Sequence, residues 1–288
     1  MQLRRTLALG AAAIAAVLFG PAGPAEAAPA RPAAAGPAPA APALAAPATL
    51  ASTIALNNCS ASLVRYPTSA GGDRAMMLTN GHCYEGGFIG SGTVLRNVSS
   101  TRQGTLLDAS GGALGRVRAD LVLYATMTGT DVALYRLNTT FAALRSQYGA
   151  TPLTISGSRT AAGTSMSVPS GYWKRVWNCT VDGFVPTLRE DQWSWRDSIR
   201  YDAGCDTIGG TSGSPIVDDA TGAVIGVNNT GNESGGRCTL NNPCEVAANG
   251  TVTVLRGRGY GQQTYWFTTC LTSSRTIDLT ISGCLLPR

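Results

Sequence analysis

The sequence predicts an all-β protein behind an export leader. After residue 50, short apolar, β-branched and aromatic segments recur, clusters of Gly, Ser, Asn and Asp separate them, and helical periodicity is scarce. Strands at this spacing without intervening helices argue for a sandwich or a barrel, not an α/β sheet.

Residues 63–66 and 75–78 read as strands joined by a turn over 68–74, and 93–95, 121–124 and 132–135 continue the series. Residues 172–181 add a long aromatic and β-branched run. A hairpin follows, with strands at 215–217 and 223–227 around a turn at 218–222. The one helical pattern covers 140–148, with threonines placed to cap its start. No internal repeat is visible.

Residues 1–27 read as a signal peptide. Arg4 and Arg5 give a positive start, an apolar run spans 7–19, and Ala25-Glu26-Ala27 offers an A-x-A cleavage site. That run is too short for a membrane span, which needs roughly 20 apolar residues, and Pro21 and Pro24 interrupt it. Residues 28–49 are nearly all Ala and Pro and form an expected linker or short pro-segment; 50–288 are the expected folded domain. Loss of Arg4, Arg5, Arg31 and Glu26 takes the net charge from +5 to +3, which excludes a strongly basic nucleic-acid-binding surface.

All eight cysteines (Cys59, Cys83, Cys179, Cys205, Cys238, Cys244, Cys270 and Cys284) follow the leader, an even number that reads as disulfides in a secreted, extracellular protein. No C-x-x-C pair occurs and there is one histidine, so no metal or other cofactor is expected.

That histidine, His82, lies in Leu78-Thr79-Asn80-Gly81-His82-Cys83 at the end of a predicted strand. Any chemistry that needs an imidazole base must use it. Asp131 opens the apolar strand Val132-Ala133-Leu134, where a partly buried carboxylate needs hydrogen-bond donors and an imidazole N–H is a suitable one. Ser212 lies in Ile208-Gly209-Gly210-Thr211-Ser212-Gly213-Ser214-Pro215. Glycines around a serine let the backbone turn tightly enough to aim N–H groups at a developing oxyanion. Taken singly, the three read equally well as a surface histidine, a strand-edge charge and a flexible loop.

Together, T-N-G-H-C, T-D-V-A-L and G-G-T-S-G-S-P resemble the histidine, aspartate and serine motifs of the chymotrypsin-like serine peptidases, in the family's order and with spacings of 49 and 81 residues. The G-x-S-G-S-P form is closer in style to secreted bacterial glutamyl endopeptidases than to pancreatic trypsins. The resemblance covers roughly residues 55–270. It implies two six-stranded antiparallel β-barrels with the active site between them, and a secreted endopeptidase acting through an acyl-enzyme. By motif, Ser212 would be the nucleophile, His82 the general base and then acid, and Asp131 its orienting carboxylate; the N–H groups of Gly210 and Ser212 would form the oxyanion hole. It also implies a Cys59–Cys83 bridge beside the histidine. Cys238–Cys244 and Cys270–Cys284 are expected local pairs, which leaves Cys179 with Cys205.

Thr211 departs from the trypsin pattern, in which an aspartate before the nucleophile pairs with a new N-terminus; no such activation is expected here. For the specificity pocket, Asp206 stands at the offset where trypsins carry their cation-binding aspartate, and reads otherwise as a solvated loop charge. Thr207 matches a pocket threonine of the glutamyl endopeptidases, but Asn228 stands where those enzymes place a second histidine. Asn228, Asn229 and Thr230 are expected to line the pocket. An α/β-hydrolase is excluded because no histidine follows Ser212; a Ser–Lys hydrolase would have only Lys174 to use. The remaining alternative is an inactive pseudoprotease that binds other molecules. The expected partners are protein or peptide substrates met by a monomer, with no nucleic acid and no membrane once the leader is removed.

Overall fold

The computed structural model describes residues 48–288. The expected signal peptide (1–27) and nearly all of the Ala/Pro linker lie outside the described residues. Two rings of six antiparallel strands form the framework of the fold. The first comprises β1 (Thr53–Ala55), β2 (Ser60–Arg65), β3 (Arg74–Thr79), β4 (Gln103–Leu107), β5 (Ala113–Thr126) and β6 (Val132–Thr140). They pair in the order β1–β4–β5–β6–β3–β2, and β2 returns to β1 to close the ring. The second comprises β7 (Ser165–Ser170), β8 (Arg175–Glu190), β9 (Trp193–Tyr201), β10 (Pro215–Asp218), β11 (Val224–Gly231) and β12 (Gly259–Gln263). Its order is β7–β10–β11–β12–β9–β8, closed by β8 on β7. Closure leaves no long strand edge within either ring and so satisfies the expected pair of six-stranded barrels.

The first barrel buries Leu63, Met77, Leu78, Leu106, Val122 and Leu134, all with no exposure. The second barrel buries Met166, Val168, Trp177, Val181, Ile199, Ile216 and Ile225, and its Val185, Leu188, Trp195, Val224 and Val227 join one cluster with the first barrel's core. The predicted helix is α1 (Phe141–Tyr148); the Thr140 hydroxyl caps it by accepting the Ala143 N–H at 3.2 Å. The run at 172–181 is not one strand: Gly171 to Lys174 form a turn, Lys174 has φ +52°, and β8 begins at Arg175. The β-propensity of Tyr172 and Trp173 suggested strand there, but the β7–β8 hairpin needs its turn at this point. Four disulfides join Cys59–Cys83, Cys179–Cys205, Cys238–Cys244 and Cys270–Cys284. Among the described residues no helix is long and apolar enough to cross a membrane.

Candidate active site

His82 sits in a tight turn, Gly81–Cys83, where β3 leaves the first barrel. The turn allows only glycine at 81: a Cβ there would strike the Thr126 carbonyl and lie 2.9 Å from Asp131 Oδ1. The Asn80 amide donates to the Asp131 carbonyl at 2.8 Å, and the Cys59–Cys83 bridge ties the far side of the turn to the start of β2.

Asp131 immediately precedes β6 and has no exposure. The segment leading to it is clamped by the second barrel: Gly129 exchanges backbone bonds with Ser194 and Arg196, and Trp195 Nε1 donates to the Met127 carbonyl at 2.8 Å. Both carboxylate oxygens then face the histidine. Oδ1 accepts the His82 backbone N–H at 3.0 Å, and Oδ2 lies 2.8 Å from Nδ1. Burial by itself would lower the His82 pKa. The Asp131 charge and hydrogen bond, with smaller contributions from Glu190 and Asn229, outweigh it and hold the imidazole above its ordinary value.

Ser212 occupies the loop before β10, fixed from both barrels. Its carbonyl accepts the Ser60 N–H at 2.8 Å. Gly213 (φ +80°) donates to the Asn228 carbonyl at 2.9 Å, and a side chain on it would collide with the Ser60 carbonyl and the Thr79 hydroxyl. The Ser212 hydroxyl donates to the Asn229 carbonyl at 3.1 Å. Among the described residues no hydrogen bond joins Ser212 to His82, although both line the same cleft.

Gly210 has φ +89°, a conformation that favours glycine. Trp173 Nε1 donates to the Gly209 carbonyl at 2.8 Å. In a trans peptide the following N–H points the opposite way, so this indole fixes the direction of the Gly210 N–H. Among the described residues the Gly210 and Ser212 N–H groups donate to no acceptor. Thr211, where an acid was absent, is held locally: its N–H and hydroxyl both donate to the Ile208 carbonyl.

The cleft is lined by His82, Asp131, Thr207, Ser212, Asn228, Asn229 and Thr230 among the expected residues. Asp206 is exposed and does not line it. Asn228 is held by Tyr201, whose hydroxyl donates to Oδ1 at 3.0 Å, and by Thr211, which accepts from Nδ2 at 3.0 Å. Burial pushes the Tyr201 phenol well up, so it stays a donor. Sequence reasoning missed Phe88, Trp173, Glu190 and Trp193. Phe88 stands edge-on to both His82 (6.1 Å) and Trp193 (5.5 Å) and walls one side. Glu190 occupies an inward position of β8. Two clusters carry ligand-type side chains, Cys59–His82–Cys83 and Cys179–Asp202–Cys205, but each contains a disulfide whose sulfurs are not thiolate donors.

A family model for the trypsin-like peptidase domain matches residues 64–227, more than half of the chain. The chain belongs to the trypsin-like peptidase domain family. As a trypsin-like peptidase domain it is also similar in structure to the MamO protease domain of Magnetospirillum magneticum, at 14% identity, over 75% of this chain and 93% of that one, with a TM-score of 0.46. The Rv3671c protease of M. tuberculosis in its active form matches at 15% identity, over 89% and 97% of the two chains, with a TM-score of 0.45. Nocardiopsis protease matches at 14% identity over 76% and 93%, with a TM-score of 0.42. A search of curated protein sequences finds no match.

Proposed function

We propose that this protein is a secreted serine endopeptidase with Ser212 as nucleophile, His82 as general base and acid, and Asp131 as the carboxylate that orients the imidazole. The observation that carries the reading is the pairing of the chain's only histidine with a fully buried aspartate, in a cleft that also holds Ser212. Asp131 takes both the ring N–H and the backbone N–H of His82, so Nδ1 is the protonated nitrogen and Nε2 is free to accept.

Rotation of the Ser212 hydroxyl away from the Asn229 carbonyl brings its proton to Nε2 as Oγ attacks the substrate carbonyl. The oxyanion that forms is met by the Gly210 and Ser212 N–H groups, which have no internal acceptor to give up. The His82 proton then passes to the leaving amine, and a water, deprotonated by the same nitrogen, releases the acyl group. The residue entering beside Ser212 meets Thr207 and Asn228, both neutral, so a neutral side chain before the scissile bond fits better than Arg or Lys. The four disulfides support an oxidising, extracellular site of action, in keeping with the leader.

The test is digestion of a diverse peptide mixture, with cut sites read by mass spectrometry and Ser212→Ala as control. Cleavage lost in the variant is expected, with neutral residues before the cut. Activity equal to the control in correctly disulfide-bonded protein would favour an inactive binding module.

A further inference from the structure

Glu190 stands in the cleft wall where the strand pattern calls for an apolar residue. At the end of β8, Leu188 and Glu190 turn inward while Arg189 turns out. Glu190 is only 4% exposed. Its Oε1 accepts the Asn241 N–H at 2.8 Å; Oε2 is buried and meets no donor at full hydrogen-bond geometry, with the Thr230 hydroxyl close by. Burial pushes this carboxyl above its usual value, against the opposing pull of the Thr230 hydroxyl, the Asn241 N–H and His82. A buried carboxylate is costly to ionise, and this one lines the cleft that holds His82 and Ser212.

Its surroundings specify that use. Thr230 and Gly231 continue β11 beyond Asn229, the residue whose carbonyl holds the Ser212 hydroxyl. They pair with β12 on one edge, at Tyr260 and Gly259, but β10 reaches only as far as Val227 on the other. The unpaired edge can accept an extended peptide as an added strand, which carries its side chains past the wall beside Thr230. The titratable groups lining the cleft are His82, Asp131, Glu190 and Glu233, and no lysine or arginine lines it. Trp193 and the 47%-exposed Leu240 supply apolar surface on the way to the carboxylate.

We infer that Glu190 forms a subsite for the cationic side chain of a lysine or arginine lying two to four residues before the scissile bond. The long stem of such a residue packs along Leu240 while its head comes to the Glu190 carboxylate at the cleft wall, whose Oε2 turns out of its buried position to meet it. Glu190 is thus a specificity residue outside the nucleophile's own pocket, and the inference rests on the peptidase reading above.

The test uses fluorogenic peptides that differ only in Arg, Lys or Gln at the second, third or fourth residue before the cut. Wild-type protein is expected to favour the cationic peptides at one position by about tenfold in kcat/KM, the size of one charged hydrogen bond. In Glu190→Gln, which keeps an oxygen for the Asn241 N–H, that ratio falls to about one, and Glu190→Asp keeps part of it. A wild-type ratio near one at every position, or a ratio unchanged in Glu190→Gln, overturns the inference and leaves the peptidase reading standing. Binding of the same peptides to Ser212→Ala, with and without Glu190→Gln, by fluorescence polarisation decides the subsite even if no peptide is cut. A cationic preference that disappears with Glu190→Gln supports it, and no preference overturns it.

Discussion

The two barrels are built to the same strand plan and stabilised differently. The first is filled by aliphatic and Met side chains and has one disulfide, which braces the turn that carries His82. The second adds Trp177, Trp193 and Trp195 to its aliphatic core, buries Ser198, Asn228, Gln262 and Gln263, and lies with the other three disulfides in the C-terminal half of the chain. Strands of both barrels slip register, and in the second the slips between Ile216 and Val217 and between Asn228 and Thr230 lie beside Ser212. The difference separates two tasks. The proposed acid–base pair stands on the first barrel, while the Ser212 loop and the cleft wall stand on the second, whose buried Asn228 lines the cleft.

The largest expected effect lies on the first barrel. Asp131→Asn should lower kcat by about four orders of magnitude with the fold retained, because an amide cannot hold Nδ1 as the donor nitrogen. Near-wild-type turnover, with circular dichroism unchanged, would break the division of labour.

On the second barrel, Trp173→Phe removes the donor that holds the Gly209 carbonyl. It should cost about tenfold in kcat with KM little changed, since the Gly210 N–H then loses its fixed direction. The indole is 47% exposed, so the melting temperature should barely move. A large fall in thermal stability with kcat intact would make this residue structural only.

The smallest effect concerns Glu190→Gln and pH. Because the Glu190 pKa is raised on folding, its neutral form suits the fold, and ionisation costs stability as pH climbs past the ordinary carboxylate value. The variant should therefore be the more stable at neutral pH, with the advantage vanishing as pH falls below the ordinary carboxylate value. The acid limb of kcat/KM, expected above the ordinary histidine midpoint, should shift to lower pH once the Glu190 charge no longer favours the imidazolium. Denaturation and rate profiles across pH read both signs.

Much of this was legible because the informative residues announce themselves. A single histidine leaves no choice of base, glycines flank a serine that needs them, and Thr140 marks a helix start that its hydroxyl does cap. What stayed hidden depended on tertiary geometry. Tyr172 and Trp173 carry strand propensity, yet a hairpin closes there and frees the indole to reach Gly209. Glu190 looks like any charged strand end until the inward phase of β8 and the neighbouring wall are known. Asp206 lies the right number of residues before Ser212, but chain offset does not fix the path of a loop, and its side chain faces solvent.

The central claim is that Ser212 is a nucleophile activated by His82. Its most direct measurement is labelling of the disulfide-intact protein with an organophosphonate, followed by peptide mapping. The account predicts one adduct, on Ser212, lost in Ser212→Ala and strongly slowed in His82→Ala. Failure of wild-type protein to label, or labelling at the same rate without His82, would contradict it.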